Sequence, residues 1–531
     1  MVEVSAQGAG ASQGDEDMVF DVAVVGCGPV GALAANLLGV AGLRTLVIER
    51  EAVPYPLPRA VHLDHEMMRL FQSVGLARIL APVMRETQGH LHVGADRGVI
   101  RYMGTAGKAK PFGWANDYFF YQPEVEDILR DGLSRFESVE LRLGSQLVGL
   151  EQDHNSVRLA LASGETARAR YVIACDGARS AVRRALGIGL EDLNFEEPWL
   201  VVDAEVEGPV RFPDLWGVPE AADVEELSVM MCDPARPATI VPGRGNLRRW
   251  EFMLLPGEDD AEMMRPERVA ELLDPYLGAV PHTMVRATTY RFHGLIAERW
   301  REGRVFLAGD AAHQTPPFFG QGMCHGMRDV ANLVWKLDLV VEHGAGAALL
   351  DTYQCERDPH VRSVVTAAVE AGRYICELDR NRAARRDAAM RERARTGETA
   401  TAADLIPAYR IGAVAADTPG AGERFVQPSV AGELLDDVTG GGWRLFALDA
   451  EAARVALDGR ASLDIRVIDV CAIADDGTLA RWLVDHGARA ALIRPDHYVF
   501  GTATGGVSDL IDRACAALQL DRQAALTTGV R

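Results

Sequence analysis

The chain has 531 residues, 48% of them hydrophobic, with a formal net charge of −21 and a pI of about 5.1. This length exceeds one ordinary hydrophobic core, so two or three domains are expected. The acidic charge argues against a nucleic-acid partner and against an anionic membrane surface, because both require a basic face. The sequence has no run of about 18 apolar residues and no signal-peptide pattern, which predicts a cytoplasmic protein.

The eight cysteines are scattered along the chain. They include no CxxC pair, and no His/Cys cluster has the spacing of a zinc site. We therefore expect reduced, mainly buried thiols and no metal centre. Residues 1–17 are polar and lack any hydrophobic period, which predicts a disordered tail.

Residues 19–36 pass from an apolar run through a glycine turn into a helix of small residues, and the next apolar run ends at Glu49. This is the dinucleotide-binding fingerprint in its βαβ context. Gly26 permits the tight turn, and Gly28 permits close approach of a pyrophosphate. Gly31 lets the helix pack on the strand, and Glu49 is placed to bind the adenosine ribose. The pattern predicts an ADP-containing cofactor without distinguishing FAD from NAD.

A second ligand-binding turn is predicted in residues 303–337, GRVFLAGDAAHQTPPFFGQGMCHGMRDVANLVWKL. A short buried strand is expected to end at Gly309 and Asp310. Because the carboxyl ends of strands in open α/β sheets form the ligand crevice, Asp310 is placed to accept hydrogen bonds from sugar or polyol hydroxyls.

The loop after this strand combines stiff and permissive residues. Pro317 restricts the backbone, whereas Gly320 and Gly322 let it approach a flat ligand closely. From Met323 onward the apolar spacing becomes helical. The loop is therefore predicted to bring its ligand to a helix N-terminus, whose partial positive charge suits a ring that becomes anionic on reduction.

These residues resemble the GD motif of the single-component FAD-dependent aromatic hydroxylases. The resemblance implies that Asp310 binds the ribityl and pyrophosphate region of FAD. It also implies that the loop through Pro317 borders the isoalloxazine and that backbone N–H groups near Met323 face its pyrimidine edge.

Three more segments resemble the same family. The resemblance implies that Arg59 lies against the flavin and that Gln122, just before a helix-starting proline, touches the cofactor. A solvated surface position for Arg59 and a cap-like position for Gln122 are the structural alternatives. Asp176 and Gly177 match the DG motif, which supports FAD and is implicated in nicotinamide nucleotide binding.

Residues 195–292 change to short alternating runs, which predict a β-rich insertion. The resemblance implies that this insertion covers the flavin and binds substrate. Arg248 and Arg249 in this insertion either offer a cation to an anionic substrate or lie on a solvated strand face. Residues 488–500 resemble a signature of the thioredoxin-like tail found in many of these hydroxylases. Cys471 is followed three residues later by alanine, so dithiol chemistry is excluded at that position.

The predicted fold is therefore α/β, with a Rossmann-like FAD-binding domain of the glutathione-reductase type, an inserted β-rich substrate domain and a C-terminal thioredoxin-like domain. The predicted segments are the disordered tail (1–17), the first part of the FAD-binding domain (18–190), the substrate-binding sheet (191–295), the second part of the FAD-binding domain with its following helices (296–400), a linker (401–424) and the thioredoxin-like domain (425–531).

The resemblance is closest to the 3-(3-hydroxyphenyl)propionate hydroxylases and their relatives. It implies that NADH or NADPH reduces FAD and that a C4a-hydroperoxyflavin hydroxylates a phenolic acid ortho or para to its phenolic oxygen. The implied partners are a small aromatic substrate, O₂ and NAD(P)H, and a homodimer is compatible with the family. The pair Cys324-His325 departs from the asparagine common in the family, so substrate identity is not carried over.

A phenol must lose its proton to activate the ring, so a general base is expected. The candidates are His293, Tyr121 and His62, together with His313, which is better explained as a structural hydrogen-bonding residue. Tailoring of an aromatic polyketide or other natural product and an NAD(P)-linked dehydrogenase remain alternative functions. A flavin-dependent halogenase would need a Trp-x-Trp-x-Ile-Pro string that the sequence lacks, and a non-catalytic FAD protein would lack the GD loop.

Overall fold

The computed structural model describes residues 19–396, 406–458 and 463–520. The predicted tail, the start of the predicted linker and the end of the chain lie outside these ranges. Within the described ranges, no helix combines the length and apolar character needed to cross a bilayer.

The described chain contains both strands and helices, in several runs of consecutive strands separated by helices. In chain order the strands are β1 (Val19–Val25), β2 (Thr45–Ile48), β3 (His62–Asp64), β4 (Met84–Glu86), β5 (Gly89–Val93), β6 (Val99–Gly104), β7 (Asp117–Phe120), β8 (Val139–Arg142), β9 (Leu147–Gln152), β10 (Val157–Leu161), β11 (Thr166–Ala174), β12 (Leu190–Val206), β13 (Ser228–Met231), β14 (Ala238–Pro242), β15 (Leu247–Met253), β16 (His282–Ala297), β17 (Arg301–Glu302), β18 (Val305–Leu307), β19 (His313–Gln314), β20 (Ser429–Val430), β21 (Glu433–Leu434), β22 (Trp443–Ala447), β23 (Ile465–Asp469), β24 (Ala490–Ile493) and β25 (Val499–Ala503). The helices are α1 (Pro29–Val40), α2 (His65–Ser73), α3 (Ala77–Leu80), α4 (Gln122–Asp131), α5 (Ala181–Ala185), α6 (Asp260–Met263), α7 (Pro266–Leu277), α8 (Gly322–Glu342), α9 (Thr352–Ile375), α10 (Arg380–Thr396), α11 (Leu435–Thr439), α12 (Ala450–Leu457), α13 (Thr478–Asp485) and α14 (Ser508–Ala517).

The first large sheet has the strand order β17-β18-β11-β1-β2-β8, extended by β9 and β10. Strands β18, β11, β1, β2 and β8 run parallel to one another, whereas β17 and β10 pair antiparallel with β18 and β11. β1 is buried along all but its first residue, as expected for a parallel strand that is covered on both faces. This is the predicted α/β cofactor-binding sheet, and its carboxyl edge positions the site described below.

The second large sheet has the order β19-β16-β12-β15-β14-β13-β5-β6. The predicted substrate segment, residues 191–295, supplies its centre. Strands β5 and β6 come from the predicted first FAD-binding segment, and β19 comes from the second. The sheet is larger than predicted because β5 pairs in parallel with β13, with His90 opposite Ser228. Such long-range pairing leaves no local sequence pattern.

The C-terminal region forms a four-stranded sheet of order β23-β22-β24-β25. β22 is parallel to β23 and antiparallel to β24, which is antiparallel to β25. The relation of this domain to thioredoxin stays a prediction. The described part of the predicted linker, residues 406–424, packs closely against its surroundings, with Tyr409, Ala413 and Ala421 buried.

A cluster of buried charges joins the C-terminal region to helices α8 and α9. We call it the domain seam, and it consists of Lys336, Glu356, Arg494 and Asp496. The Glu356 carboxylate lies 2.9 Å from an Arg494 nitrogen and 3.0 Å from the Lys336 Nζ. Arg494 also pairs with Asp496 at 2.5 Å. Burial lowers the pKa of Lys336 to about 8, although the nearby Glu356 acts in the opposite direction.

Candidate functional site

Three strand ends that are far apart in sequence lie side by side at the carboxyl edge of the first sheet. β11 lies between β1 and β18 and runs parallel to both. A Cβ atom on Gly26 would lie 3.1 Å from the Cα of Asp176. One on Gly309 would lie 3.2 Å from a methyl carbon of Val30, in the first turn of α1, and one on Gly326 would lie 2.8 Å from the Cα of Gly309. The three turns therefore border one cleft.

The first glycine turn has the close contacts that a dinucleotide site requires. Gly26 has a φ of +96°, and a Cβ on Gly31 would lie 1.9 Å from the Gly26 carbonyl oxygen. A Cβ on Gly28 would meet no described atom within 4 Å, and no side chain caps the N-terminus of α1. The open space and the free N–H groups suit a pyrophosphate. One carboxylate oxygen of Glu49 accepts a 2.7 Å hydrogen bond from the backbone N–H of Cys27, which places the acid beside this turn.

The second strand end combines a cap with a buried acceptor. One oxygen of Asp176 accepts hydrogen bonds from the backbone N–H groups of Ala181 and Val182, at 2.7 and 3.1 Å, and so caps α5. Its other oxygen is buried and has no partner in the part of the chain that the structure describes. Gly177 has a φ of +79° and open space where a Cβ would lie. Buried acceptors are normally bonded, so this atom is free for a ligand.

The third strand end presents Asp310 to the cleft. Its carboxylate is exposed and has no hydrogen-bond partner among residues 19–396, 406–458 and 463–520. Desolvation by the surrounding protein raises the pKa of this carboxyl, whereas the charges of His313 and Arg59 act to lower it. Arg59 is also exposed, with its guanidinium 4.6 Å from the ring centre of Tyr55.

Gln122 holds the backbone beside Arg59. Its side-chain oxygen accepts hydrogen bonds from the N–H groups of Arg59 and Ala60, at 3.0 and 2.6 Å. Its side-chain nitrogen donates to Glu126 at 2.5 Å. Gln122 is therefore a buried anchor of the Arg59 loop, with its oxygen and one of its two side-chain N–H groups engaged.

Asp329 holds the turn at Asp310 through a hydrogen bond from the Gly309 N–H. The sequence analysis did not identify this residue. This fully buried residue of α8 accepts hydrogen bonds from the Gly309 N–H at 3.0 Å, His313 Nε2 at 2.7 Å and Arg357 Nε at 2.9 Å. Burial alone would raise the pKa of Asp329, but His313 and Arg357 lower it. His313 is thus a structural hydrogen-bonding residue, as expected. An acidic residue at a core position of an apolar helix was the available signal.

A cavity of about 150 Å³ lies between the second sheet and the loop that contains Pro317, Gly320, Gly322 and Met323. These four residues line it together with Arg59. The residues predicted to border an isoalloxazine therefore also form one wall of a small chamber.

His62 and His90 form the polar corner of this cavity. His62 Nε2 lies 2.9 Å from an Asp117 oxygen, and His62 Nδ1 lies 3.4 Å from the Gly320 carbonyl oxygen. Burial lowers the pKa of His62, but the hydrogen bond and the charge of Asp117 raise this pKa by more, so the net shift is upward. Burial and the neighbouring His62 lower the pKa of His90 to about 4. Ligand-type atoms of His62, His90 and Asp117 all lie within 4.8 Å of one another.

The structure places the other two candidate bases elsewhere. Tyr121 donates its hydroxyl to the Pro56 carbonyl oxygen at 3.1 Å and does not line the cavity. Phe292 of β16 packs on Phe318, with ring centres 6.2 Å apart. Because side chains alternate along a strand, the next residue, His293, lies on the opposite face of the sheet.

Arg249 is buried at the cavity wall, so the solvated alternative is wrong, whereas a role toward an anionic substrate stays a prediction. It is buried, and its Nε lies 2.7 Å from an Asp203 oxygen. Its two terminal nitrogens donate to the backbone carbonyls of Arg59 and Pro58, at 2.7 and 2.9 Å. Arg248 donates to the carbonyls of Gly245 and Leu247, at 3.2 and 2.8 Å, and does not line the cavity. The paired strand β12 supplies Asp203, which no local pattern could assign to Arg249.

Two family models cover most of the chain. One described as FAD binding domain matches residues 19–368, and one described as HcaD C-terminal domain matches residues 422–517. The probable NADH-specific resorcinol 4-hydroxylase of Rhodococcus jostii (strain RHA1) is 36% identical over 501 residues, which cover 91% of this chain and 92% of the relative. The 3-(3-hydroxy-phenyl)propionate/3-hydroxycinnamic acid hydroxylase of Burkholderia cenocepacia (strain HI2424) is 35% identical over 524 residues, with coverage of 90% and 93%.

Solved structures share this fold over nearly the whole chain. Aklavinone-11 hydroxylase, in a ternary complex with FAD and aklavinone, superposes with a TM-score of 0.75 at 27% identity, covering 95% of this chain and 100% of that one. The flavin-dependent monooxygenase PieE, in complex with FAD and substrate, has a TM-score of 0.79 at 24% identity and the same coverage, which is a likeness of fold alone. The chain therefore belongs to the FAD-binding family of aromatic hydroxylases and is an FAD-dependent monooxygenase that uses NAD(P)H and O₂.

Proposed function

We propose that this monooxygenase hydroxylates a single phenolic ring in the cavity, with His62 as the general base and Asp117 as its partner. The observation that carries the proposal is the 2.9 Å His62–Asp117 hydrogen bond at the wall of a chamber that the Gly320 loop also lines. The two relatives described above are named as hydroxylases of resorcinol and of phenolic acids. Both are phenols, so a base beside the ring serves either substrate.

The residues at the three strand ends fit FAD. Glu49, the open turn at Gly28, the unpartnered oxygen of Asp176 and the free carboxylate of Asp310 would hold its ADP and ribityl parts. When bound, FAD supplies the redox chemistry, because it accepts a hydride from the nicotinamide nucleotide and activates O₂ for transfer of one oxygen atom. We propose NADH as the preferred reductant, in line with the name of the Rhodococcus relative.

His62 has a proton-accepting atom to offer. When its Nε2–H is donated to Asp117, Nδ1 is left as an acceptor that takes the phenolic proton. The resulting imidazolium is stabilised by the Asp117 carboxylate and by the Gly320 carbonyl oxygen, which lies 3.4 Å from Nδ1. Removing the proton enriches the ring in electrons at the ortho and para carbons, which receive the electrophilic oxygen.

The cavity favours a small ring over a polycyclic natural product. Its volume is about 150 Å³, and a protein cavity of about this size holds one benzene molecule. Tailoring of a tetracyclic polyketide would need a larger chamber.

The experiment is turnover by the FAD-reconstituted enzyme with a panel of monocyclic phenols, with NADH and NADPH compared. We expect phenol-dependent oxidation of NADH, with ¹⁸O from ¹⁸O₂ recovered in a hydroxylated product at a stoichiometry near one. Oxidation of NADH that yields peroxide, but no hydroxylated product with any phenol, would contradict the proposal.

A further inference from the structure

Glu251 is an acidic residue on the wall of the cavity that has no hydrogen bond. It lines the cavity and is 8% exposed. Its closest charged neighbour is the Arg249 Nη1 at 3.9 Å, beyond hydrogen-bond distance. Arg249 directs its donors to Asp203 and to two backbone carbonyls instead. Within the described chain, the Glu251 oxygens therefore remain available to a ligand in the cavity.

Thr239 lies next to Glu251, and its side chain also lacks a hydrogen-bond partner in the described chain. The two residues are directly opposite each other on β14 and β15, so their side chains share one face of the sheet. The Thr239 hydroxyl is buried without a hydrogen-bond partner in the described part of the chain, and Thr239 also lines the cavity. Two adjacent, unpartnered polar groups facing one chamber form a ready hydrogen-bonding pole for a ligand.

The pole formed by Glu251 and Thr239 lies apart from the proposed base, His62, and its neighbour His90. His90 pairs with Ser228 on β13, whereas Thr239 and Glu251 lie on the next two strands of the sheet. The cavity therefore presents two polar ends to a ring, one at His62 and one at Glu251, with Met230 and Val241 among the apolar residues that line it.

The carboxylate of Glu251 disfavours a substrate carboxylate at its own end of the cavity. Burial raises the pKa of Glu251 and Asp203 acts in the same direction, while the charges of Arg249 and Arg286 oppose them. The two guanidinium groups that line the chamber are the exposed Arg59 and Arg249, which donates four of its five N–H groups to Asp203, Arg59 and Pro58. A substrate carboxylate beside Glu251 would thus meet a like charge, and the neighbouring Arg249 is already paired with Asp203.

We propose that Glu251 and Thr239 bind a second hydroxyl group of the substrate, so that the enzyme selects an uncharged dihydroxybenzene over a phenolic acid. This rests on the proposed function and narrows its substrate class. The Glu251 carboxylate accepts a hydrogen bond from the substrate hydroxyl group, and the Thr239 hydroxyl donates one to the oxygen of that group. The ring is then held between this pole and His62, with its first hydroxyl at the base.

The test compares three substrates on the FAD-reconstituted enzyme: resorcinol, phenol and 3-(3-hydroxyphenyl)propionate. A site built to hydrogen-bond a hydroxyl strongly rejects analogues that lack it, so we expect kcat/KM for resorcinol to exceed both other values by about 100-fold or more. Glu251→Gln should lower kcat/KM for resorcinol about 10- to 100-fold, leave that for phenol within about threefold, and raise that for the acid. Thr239→Val should act in the same direction with a smaller effect.

Glu205→Gln is the matched control, because Glu205 is an exposed carboxylate on the same sheet. Flavin content and thermal unfolding are measured for every variant, and substrate affinity is measured from the perturbation of the flavin spectrum. A preference for the acid over resorcinol, or an equal loss for all three substrates in Glu251→Gln, would overturn this inference while leaving the hydroxylase function intact. Failure to hydroxylate any of the three would overturn the proposed function, and this inference with it.

Discussion

The cavity and the domain seam both bury charged side chains, but these side chains differ in how many hydrogen-bond partners they have. At the seam, the Glu356 carboxylate accepts hydrogen bonds from Arg494 at 2.9 Å, Asn332 at 2.6 Å and the Ala413 N–H at 2.7 Å. In the cavity, Glu251 has no hydrogen bond to any described residue, and the Thr239 hydroxyl is likewise unpartnered. The same contrast holds between the seam and the exposed Asp310 at the cofactor cleft.

The number of hydrogen-bond partners distinguishes charged groups with a structural role from those that bind a ligand. A buried polar group without a partner is costly, so it persists where a ligand completes its hydrogen bonds. A buried charge with several partners instead fixes the relative position of two parts of the chain. Pairing, rather than burial alone, thus distinguishes the two regions, and mutations should affect them in different ways.

The largest expected effect is on stability at the seam. Arg494→Ala removes the guanidinium from Glu356 and Asp496 and leaves both carboxylates buried without it. We expect the free energy of unfolding, measured by chemical denaturation, to fall by about 3–5 kcal/mol. Arg489→Ala, at an exposed position of the same domain, is the control. A loss below about 1 kcal/mol would place the seam with ordinary surface ion pairs.

The second effect is on cofactor affinity. Asp310→Ala removes a carboxylate that has no described protein partner, so the apoprotein should keep its stability within about 0.5 kcal/mol. FAD should bind about 100-fold more weakly, because hydrogen bonds to a charged acceptor are lost. Titration of the apoprotein with FAD, followed by flavin fluorescence, measures this change. Unchanged affinity would mean that Asp310 does not face the cofactor.

The third effect is on the pH dependence of turnover. Asp117 raises the pKa of His62, and a base acts only in its neutral form. Asp117→Asn should therefore move the acidic limb of the kcat–pH profile to lower pH, while kcat at its optimum falls about 10- to 100-fold because the imidazolium loses its partner. Steady-state rates between pH 5 and 9 give the profile. An acidic limb that stays in place would remove His62 from the role of base.

The smallest effect is expected at Cys471 in the C-terminal domain. Its exposed thiol is not part of a dithiol motif. Cys471→Ser should leave turnover and flavin content unchanged before and after mild oxidation, as assays of the treated proteins would report. Redox-dependent activity that vanishes in this variant would contradict a purely structural role for the domain.

The sequence alone predicted the features that depend on short-range patterns. Glycine turns at strand ends, such as that at Gly26, and the acid at Asp310 can be identified because the chain around them must change direction and accommodate a ligand. The residues that pair across sheets could not be identified. His90 is in the cavity because β5 joins β13, and Glu251 faces Thr239 through a register that no local pattern encodes.

The seam escaped prediction for the same reason. Arg494 meets Glu356 across 138 positions of sequence. Arg249 shows the same limit, because its charge was visible in the sequence but its partner Asp203 was not. Residue type indicates what a side chain can do, and only its neighbours decide whether that capacity is still free.

Hydrogen–deuterium exchange of the apoprotein and the FAD-reconstituted protein tests most directly whether the three strand ends hold one cofactor. Backbone amides at Gly28, Gly177 and Asp310 should all exchange more slowly when FAD is bound, while amides around Glu356 and Arg494 should exchange at the same rate in both forms. Protection confined to the turn at Gly28, with Gly177 and Asp310 unaffected, would show that the three ends do not bind a common ligand.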